Sequence, residues 1–125
     1  MKARFLIYAY PHSYGGNHGM YDWEIVENYS YAEACIEGME LAREVIENYN
    51  IFDEDTWVEE YKRDCEIPED ADINWDDYFD WLDPLITEEC EYEVYPLKDD
   101  ADVERIYHDT REIKEIIHDY CILEN

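Results

Sequence analysis

Two hydrophobic periodicities alternate along the chain, and the first of them predicts a hairpin at its beginning. Residues 3–10 are apolar on both alternating faces, a pattern typical of a central strand that is covered on both sides. Pro11 is expected to end this strand. Residues 21–28 alternate apolar side chains with acids, which predicts a second strand with one polar face. The Gly-rich segment 11–20 between the two strands predicts a long hairpin loop.

The period then changes to that of a helix. Ser30 and Glu33 form an S-x-x-E capping box, and the apolar positions that follow recur every three or four residues. This pattern predicts a helix over about Tyr31–Tyr49. A second, shorter helix is predicted near Glu54–Asp64, where the apolar residues again share one side.

A third helix and a third strand are predicted in the following segment. Asn74 is a suitable capping residue for the helix, and Pro84 is expected to end it, because proline cannot continue the backbone hydrogen bonds of a helix. Residues 89–97 return to the alternation of a strand. Pro96 indicates that this strand lies at the edge of the sheet or stops there.

The last predicted element is a long helix that Asp99 or Asp100 caps and whose apolar positions extend from Val103 to Tyr120. The element order is therefore β-β-α-α-α-β-α in a single domain, residues 1–125. We expect an α+β fold, in which a three-stranded antiparallel sheet carries the two long helices on one face. The short acidic helices are expected to form an inserted lobe within residues 53–93.

Charge is distributed unevenly over these elements. The formal net charge is −26, from 35 acidic and nine basic residues. Residues 1–50 contribute −5 (8 acids, 3 bases), residues 51–100 contribute −17 (20 acids, 3 bases) and residues 101–125 contribute −4 (7 acids, 3 bases). Halophilic adaptation would spread the acids more evenly, so their concentration predicts a local anionic face. Residues 64–97 combine 13 acids with six aromatic residues, which indicates folded structure rather than a disordered acidic tail.

The charge also restricts the class of partner. Nucleic acid and anionic membranes would repel the molecule, whereas a basic protein would attract it. The four cysteines are 30, 25 and 31 residues apart, without a CxxC or compact disulfide pattern, and are expected to be reduced and mostly buried. The sequence contains no signal peptide or membrane-spanning apolar run, so a cytoplasmic location is expected.

One group of residues resembles a calcium site but departs from its pattern. Asp70, Asp72 and Asn74 match the first three ligand positions of an EF-hand loop. The sixth and twelfth positions require Gly and Glu, and they are Trp75 and Trp81 here. A dedicated calcium site is therefore not expected.

Two groups that contain histidine are interpreted without a metal or catalytic role. His12 and His18 flank the Gly-rich loop, but a zinc site would need further ligands that do not lie near in sequence. His118 and Cys121 lie three residues apart on the last predicted helix, and Cys121 falls on its apolar stripe. No catalytic residue, metal or cofactor is therefore expected, and the sequence favours a binding protein over an enzyme.

The acidic residues of the middle segment are the predicted binding site. Carboxylates three or four positions apart on a helix lie about 5–6 Å apart at Cβ, which is comparable with the separation of successive phosphates along one nucleic-acid strand. Exposed rings such as Trp81 or Tyr95 are expected to act as anchors. The alternative is a solvated face whose charge only keeps the protein soluble. The predicted partner-binding residues are Glu59, Glu60, Asp76, Asp77, Asp80, Trp81, Asp83, Glu88, Glu89, Glu91 and Glu93.

In size, charge, element order and its acidic, aromatic-rich segment 53–93, the chain resembles small acidic proteins that bacteriophages and mobile elements use against host defence. These are the anti-CRISPR proteins and the DNA-mimic antirestriction proteins; a fainter likeness to the latter lies in RFLIYAYPHSYGGNHGMYDW and INWDDYFDWL. The resemblance implies a stoichiometric inhibitor that occupies the nucleic-acid groove of a CRISPR-Cas effector or restriction enzyme. By that analogy the stand-ins for phosphates would be Asp76, Asp77, Asp80, Glu88, Glu89, Glu91 and Glu93.

The sequence is also compatible with two other functions. An acidic adaptor or regulatory module would bind a basic protein without blocking nucleic acid, so DNA would not compete with it. A small metal-dependent enzyme would show tight, stoichiometric metal and a pH-dependent activity.

Overall fold

The sheet is built around its first strand. In the computed structural model, which describes residues 2–13 and 19–123, β1 (Ala3–Pro11) lies between β2 (Asp22–Tyr29) and β3 (Cys90–Pro96). Both pairings are antiparallel. The α+β class, the three-stranded antiparallel sheet and the edge position of the third strand are confirmed.

The register follows the alternation of β1. Leu6 pairs with Ile25 on one side and with Tyr95 on the other. The β1–β2 register shifts between Ala3 and Phe5. Asn28, in the part of β2 opposite this shift, has a φ of 62°, a left-handed conformation that asparagine tolerates better than most residues. The predicted hairpin is present, although residues 14–18 of its loop lie outside the described residues.

Helix α1 (Tyr31–Asn48) covers one face of the sheet. It begins with the predicted capping box, in which Ser30 Oγ accepts the Glu33 N–H at 3.1 Å and Glu33 Oε1 accepts the Ser30 N–H at 3.0 Å. Leu41 and Val45 pack here against Phe5, Ile7 and other residues of the sheet. The helix approaches β3 closely at Gly38, where a Cβ atom would lie 2.6 Å from Cδ2 of Tyr92.

The end of the chain covers the opposite face, which corrects the prediction that both long helices share one face. Ile106, Ile113 and Ile116 pack there against Leu6 and Tyr8. The physical reason lies in β1 itself. Its side chains are buried on both alternating faces, so each face needs its own cover to remove apolar surface from water.

The predicted last helix is also two helices, α4 (Val103–Tyr107) and α5 (Ile113–Tyr120), and the cap is Asp102 rather than Asp99 or Asp100. Asp109 interrupts the helix between them. Its carboxylate accepts the Arg111 backbone N–H at 3.0 Å and also binds the Arg111 guanidinium, at 2.8 Å to Nη2. Such a local side-chain bond to the backbone competes with the helical hydrogen bonds.

Two helices inserted between α1 and β3 share a separate cluster. α2 (Glu54–Asp64) and α3 (Trp75–Glu89) pack around Tyr61, Tyr78 and Leu82, all nearly inaccessible to solvent. These short helices occupy the predicted place in the chain. None of the helices among the described residues is long and apolar enough to cross a bilayer.

Helix α3 does not end at Pro84, as the sequence predicted, but continues to Glu89. Proline in a helix interior removes a backbone hydrogen bond and costs about 3 kcal/mol. The turn that follows offsets this cost by burial. Leu85 packs against the α2–α3 cluster, and Ile86 contacts both that cluster and the cluster under α1.

Candidate partner-binding surface

The first turn of α3 holds two of the predicted acids in place. Oδ1 of Asn74 accepts the backbone N–H groups of Asp76 at 3.0 Å and Asp77 at 3.4 Å, which confirms Asn74 as the helix cap. Negative charge at the N-terminus of a helix is favourable, because the unpaired N–H groups there carry partial positive charge. The carboxylates of Asp76 and Asp77 therefore stabilise the helix while they face solvent.

Five of the predicted acids are exposed and unpaired. They form no ion pair within the part of the chain that the structure describes. Four of them belong to α3 and one to α2, so the unpaired charge is concentrated on the inserted helices. These acids are Glu59, Asp76, Asp77, Asp80 and Glu88.

Two further acids on these helices have cationic partners. Glu60 lies 2.8 Å from Nη1 of Arg63, one turn further along α2. Asp83 lies 3.2 Å from Nη1 of Arg43 on α1, and Nη2 of Arg43 also donates to Oγ1 of Thr87 at 2.9 Å. These bonds tie α3 to α1, so Asp83 has a structural contact that the sequence did not indicate.

Two acids, at the end of α3 and the start of β3, bind the residues that follow β1. Oε2 and Oε1 of Glu89 accept the backbone N–H and the hydroxyl of Ser13, at 3.0 Å and 2.6 Å. Oε1 of Glu91 lies 3.0 Å from Nδ1 of His12. His12 therefore has a carboxylate neighbour, whereas His18, predicted with it, lies outside the described residues.

Glu93 is surrounded by phenol groups. The hydroxyl of Tyr95 donates a hydrogen bond to Oε1 of Glu93. Burial and, after it, the charge and hydrogen bond of Glu93 raise the pKa of Tyr10 to about 12. The same two causes raise the pKa of Tyr95. This half-buried carboxylate is held by its neighbours, so it is less accessible to a partner than the acids of α3.

The predicted surface is therefore divided between two parts of the molecule. On β3, Tyr92 and Val94 face the cluster under α1, whereas Tyr95 packs on the opposite face. Because successive strand residues point to opposite faces, Glu91 and Glu93 share the face of Tyr95, away from α1. Helix α3 packs on α1. The β3 acids and the α3 acids thus belong to different faces of the sheet.

The predicted anchor Trp81 belongs to the core of the lobe instead. Its ring is half-buried and packs against Tyr61, Tyr78 and Trp57, with ring centroids 5.4, 6.2 and 6.3 Å away. Tyr95 is also half-buried and packs under the terminal helices. Neither ring is exposed as expected, and their role as anchors stays a prediction.

Two other aromatic rings of α3 are exposed in their place. Trp75 is 46% exposed and Phe79 is 56% exposed, and their ring centroids are 6.1 Å apart. A signal for them was present in the sequence. Residues 75–82 contain four aromatic rings and a leucine, which is more apolar side chain than one face of a helix can bury. Some of the rings had to remain at the surface.

The arrangement of α3 combines negative charge with apolar anchors. Asp76 and Asp80 are one turn apart. Around the helix, their side chains project beside those of Trp75 and Phe79. The unpaired carboxylates attract a cation over a distance of about 8 Å at physiological salt. The rings supply apolar area for close contact. This helix is therefore suited to binding a basic surface that has an apolar recess.

The residues considered for other chemistry show no assembled site. Within residues 2–13 and 19–123, no cluster of three or more His, Cys, Asp and Glu side chains could hold a metal ion. Cys121 is buried in the core, as expected, and its burial raises the pKa of its thiol to about 12. All four thiols are free, with Cys90 also buried, Cys35 half-buried and Cys65 exposed.

No protein-family model, curated protein or solved structure matches this chain.

Proposed function

We propose that the protein is a non-enzymatic inhibitor of a basic, nucleic-acid-binding defence protein, a CRISPR-Cas effector or restriction enzyme, in the cytoplasm of a bacterial host. Helix α3 is the proposed contact. The observation that carries the proposal is the row of exposed, unpaired carboxylates of Asp76, Asp77 and Asp80 beside the exposed rings of Trp75 and Phe79. The target would bind this row in place of phosphates.

The overall charge supports this mechanism. A groove that binds nucleic acid carries Lys and Arg that neutralise phosphates, and its affinity for any polyanion falls steeply with salt. With 18 acids against 2 bases in residues 53–93, the lobe would enter such a groove at a rate increased by electrostatic attraction. Inhibition would follow from occupancy alone, without a chemical step.

One observation favours a second function, an acidic adaptor that leaves nucleic acid bound. The unpaired acids of α3 span one helix, and the acids of β3 lie on another face of the sheet. A short acidic row matches a small basic patch as well as it matches a long groove. Competition by DNA separates the two functions, since DNA displaces only an inhibitor that occupies the nucleic-acid groove.

The experiment is capture of a target from a bacterial lysate on the immobilised protein, with elution by a salt gradient, in the presence and absence of excess duplex DNA. The proposal predicts a nucleic-acid-binding nuclease that moderate salt or DNA releases. A specific partner that DNA does not displace would establish the adaptor function. A capture without any specific partner would contradict both functions.

A charge-neutralised variant then tests the contact itself. We expect D76N/D77N/D80N to weaken binding of the captured target by about tenfold or more at low salt, because three unpaired carboxylates are lost. The matched control is E104Q/E112Q/E115Q, which changes the net charge equally at exposed positions of the terminal segment. Equal weakening by both variants would show that only net charge matters and that α3 is not the contact.

A further inference from the structure

Two exposed rings of α3 lie side by side on the surface of the lobe. The ring centroids of Trp75 and Phe79 are 6.1 Å apart, and the ring planes are inclined by 35°. A planar group inserted between two rings would need about 7 Å, because each of its two contacts takes about 3.5 Å. The rings are too close for such insertion, so a partner would lie on the outer surface of the pair.

The buried ring of Tyr78 holds both exposed rings in place. Its centroid lies 5.5 Å from that of Trp75, with the planes at 89°, and 5.3 Å from that of Phe79. Tyr78 is almost inaccessible to solvent. Since both exposed rings pack on a buried one, a partner would find them already ordered, and less side-chain entropy would be lost on contact.

Unpaired carboxylates border the rings. Asp76 lies three positions before Phe79, and Asp80 lies one turn after Asp76, so these side chains are neighbours on the helix surface. Neither carboxylate forms an ion pair among residues 2–13 and 19–123. A purely apolar occupant would cover these charges without pairing them, which is unfavourable. The surface therefore fits a cation that also has an apolar or planar body.

Helix α3 already binds one guanidinium of the protein itself. Nη1 of Arg43 lies 3.2 Å from Oδ1 of Asp83, and Nη2 donates to Oγ1 of Thr87 at 2.9 Å. One planar group thus bridges two side chains that are one turn apart, because its N–H donors are arranged as a fork. Asp76 and Asp80 repeat this spacing and have no cationic partner in the part of the chain that the structure describes.

We propose that α3 selects arginine over lysine side chains of its partner. The guanidinium would stack on the outer surface of Trp75 and Phe79 and donate hydrogen bonds to Asp76 and Asp80. An ammonium group is more strongly hydrated and has no plane to stack on a ring. The inference rests on the proposed function for the basic character of the partner, and it adds which cation the surface fits.

Charge disfavours the other occupants of this surface. A second copy would bring together two molecules that each carry a net charge of −26. Bases of nucleic acid could stack on the rings, but the phosphates would be repelled. The partial positive charge at the start of α3 is offset, since Oδ1 of Asn74 accepts two of its N–H groups and Asp76 and Asp77 lie beside them.

The test uses three peptides of seven residues with blocked ends, in which glycine alternates with arginine, lysine or citrulline. Citrulline keeps the planar end of arginine and lacks its charge. Affinity for the full chain is measured by calorimetry at about 150 mM salt, where weak long-range attraction is screened. The indole N–H signal of Trp75 is followed by NMR in the same titrations.

Three variants separate the rings from the carboxylates. W75L/F79L removes the ring surfaces but keeps apolar side chains and the net charge. Its matched control is Tyr49→Leu, which removes an exposed ring at the end of α1. D76N/D80N removes the two carboxylates and keeps the rings. Circular dichroism establishes that each variant is folded.

We expect the arginine peptide to bind about threefold or more tightly than the lysine peptide, since a cation stacked on an exposed ring contributes about two- to fivefold in affinity. It should also shift the Trp75 indole signal. The preference should fall toward unity in W75L/F79L and persist in Tyr49→Leu. D76N/D80N should weaken the binding of both charged peptides.

Equal affinity for the arginine and lysine peptides would overturn the preference and leave the basic partner of the proposed function intact. A preference that W75L/F79L retains would belong to another surface and overturn the site. Equal binding of the citrulline and arginine peptides would contradict recognition by charge. If neither charged peptide bound, both the inference and the proposed contact would be contradicted. Should W75L/F79L fail to fold, equal shifts of the Trp75 signal by arginine and lysine peptides in the unaltered protein would overturn the inference.

Discussion

Among single residues, Glu24 on β2 has a carboxyl group whose ionised form its surroundings disfavour. Its Oε1 atom is buried and has no hydrogen-bond partner among the described residues. Burial first, and then Glu37, Glu44 and Asp22, raise the pKa of Glu24 to about 7. The protonated form is therefore favoured in the folded protein, and the ionised form opposes folding.

We predict that Glu24→Gln stabilises the protein at pH 8 and has little effect at pH 4. Because the folded pKa is raised above the ordinary value of 4.5, the contribution of Glu24 to stability is greatest below pH 4.5 and is lost as pH rises to about 7. Glutamine keeps the shape and removes the charge. We expect a gain of about 1 kcal/mol at pH 8, reduced by solvent screening, in the free energy of unfolding by urea.

The control for this prediction is Glu40→Gln, an exposed acid of α1. It removes the same charge from the same side of the sheet, but the carboxylate that it removes is not buried. A similar gain from both variants at pH 8 would show that net charge, and not the burial of Glu24, opposes folding.

At the scale of an element, α3 depends on its cap. Asn74 satisfies two backbone N–H groups that no helical carbonyl can reach. We predict that Asn74→Ala lowers the free energy of unfolding by about 1 kcal/mol. The measurement is urea denaturation followed by tryptophan fluorescence, which reports on the lobe because Trp57, Trp75 and Trp81 lie there.

The control variant for the cap is Asn48→Ala, at the exposed end of α1, where the asparagine side chain makes no hydrogen bond within the described part of the chain. It should leave stability almost unchanged. If Asn74→Ala were equally neutral, the first turn of α3 would not depend on its cap, and the positions of Asp76 and Asp77 would need another explanation.

At the scale of the whole molecule, folding and binding should respond to salt in opposite directions. The net charge of −26 opposes the compact state by self-repulsion, which salt screens. We predict that the Tm rises by about 3–5 °C between 10 mM and 300 mM NaCl, which corresponds to about 1 kcal/mol. Over the same range, affinity for the captured basic partner should fall.

Thermal denaturation and binding are measured in the same buffers, with KCl in place of NaCl as the control for a specific ion effect. A Tm that does not change with salt would mean that the acids are too far apart to repel one another. An affinity that does not change with salt would contradict recognition by charge.

The candidate site was only partly predictable. The charge and the cap of α3 could be read locally, because each depends on residues within a few positions of one another. Which acids are unpaired could not be read locally. Arg43 on α1 pairs with Asp83, and Ser13, two residues beyond β1, binds Glu89. Which aromatic rings are exposed also depends on residues that are distant in sequence. Trp81 is half-buried because α2 supplies the rings that surround it.

The sequence by itself determined the three strands, the first three helices, the order of these elements and the anionic character of the lobe. Alternation marked three strands, the S-x-x-E box marked the start of α1, and the doubly apolar pattern of β1 marked the centre of the sheet. These features depend on backbone propensity and hydrophobic period, which act over a few residues.

Only the tertiary structure decided which surfaces are left for a partner. In the folded protein, α3 continues past Pro84 and the last predicted helix is interrupted at Asp109. Helix α1 and the terminal helices lie on opposite faces of the sheet. It also closed the edge of β2 at Ile25 with the hydroxyl of Tyr107. These outcomes follow from burial and hydrogen bonding between distant segments, which compete with local preferences once the chain is compact.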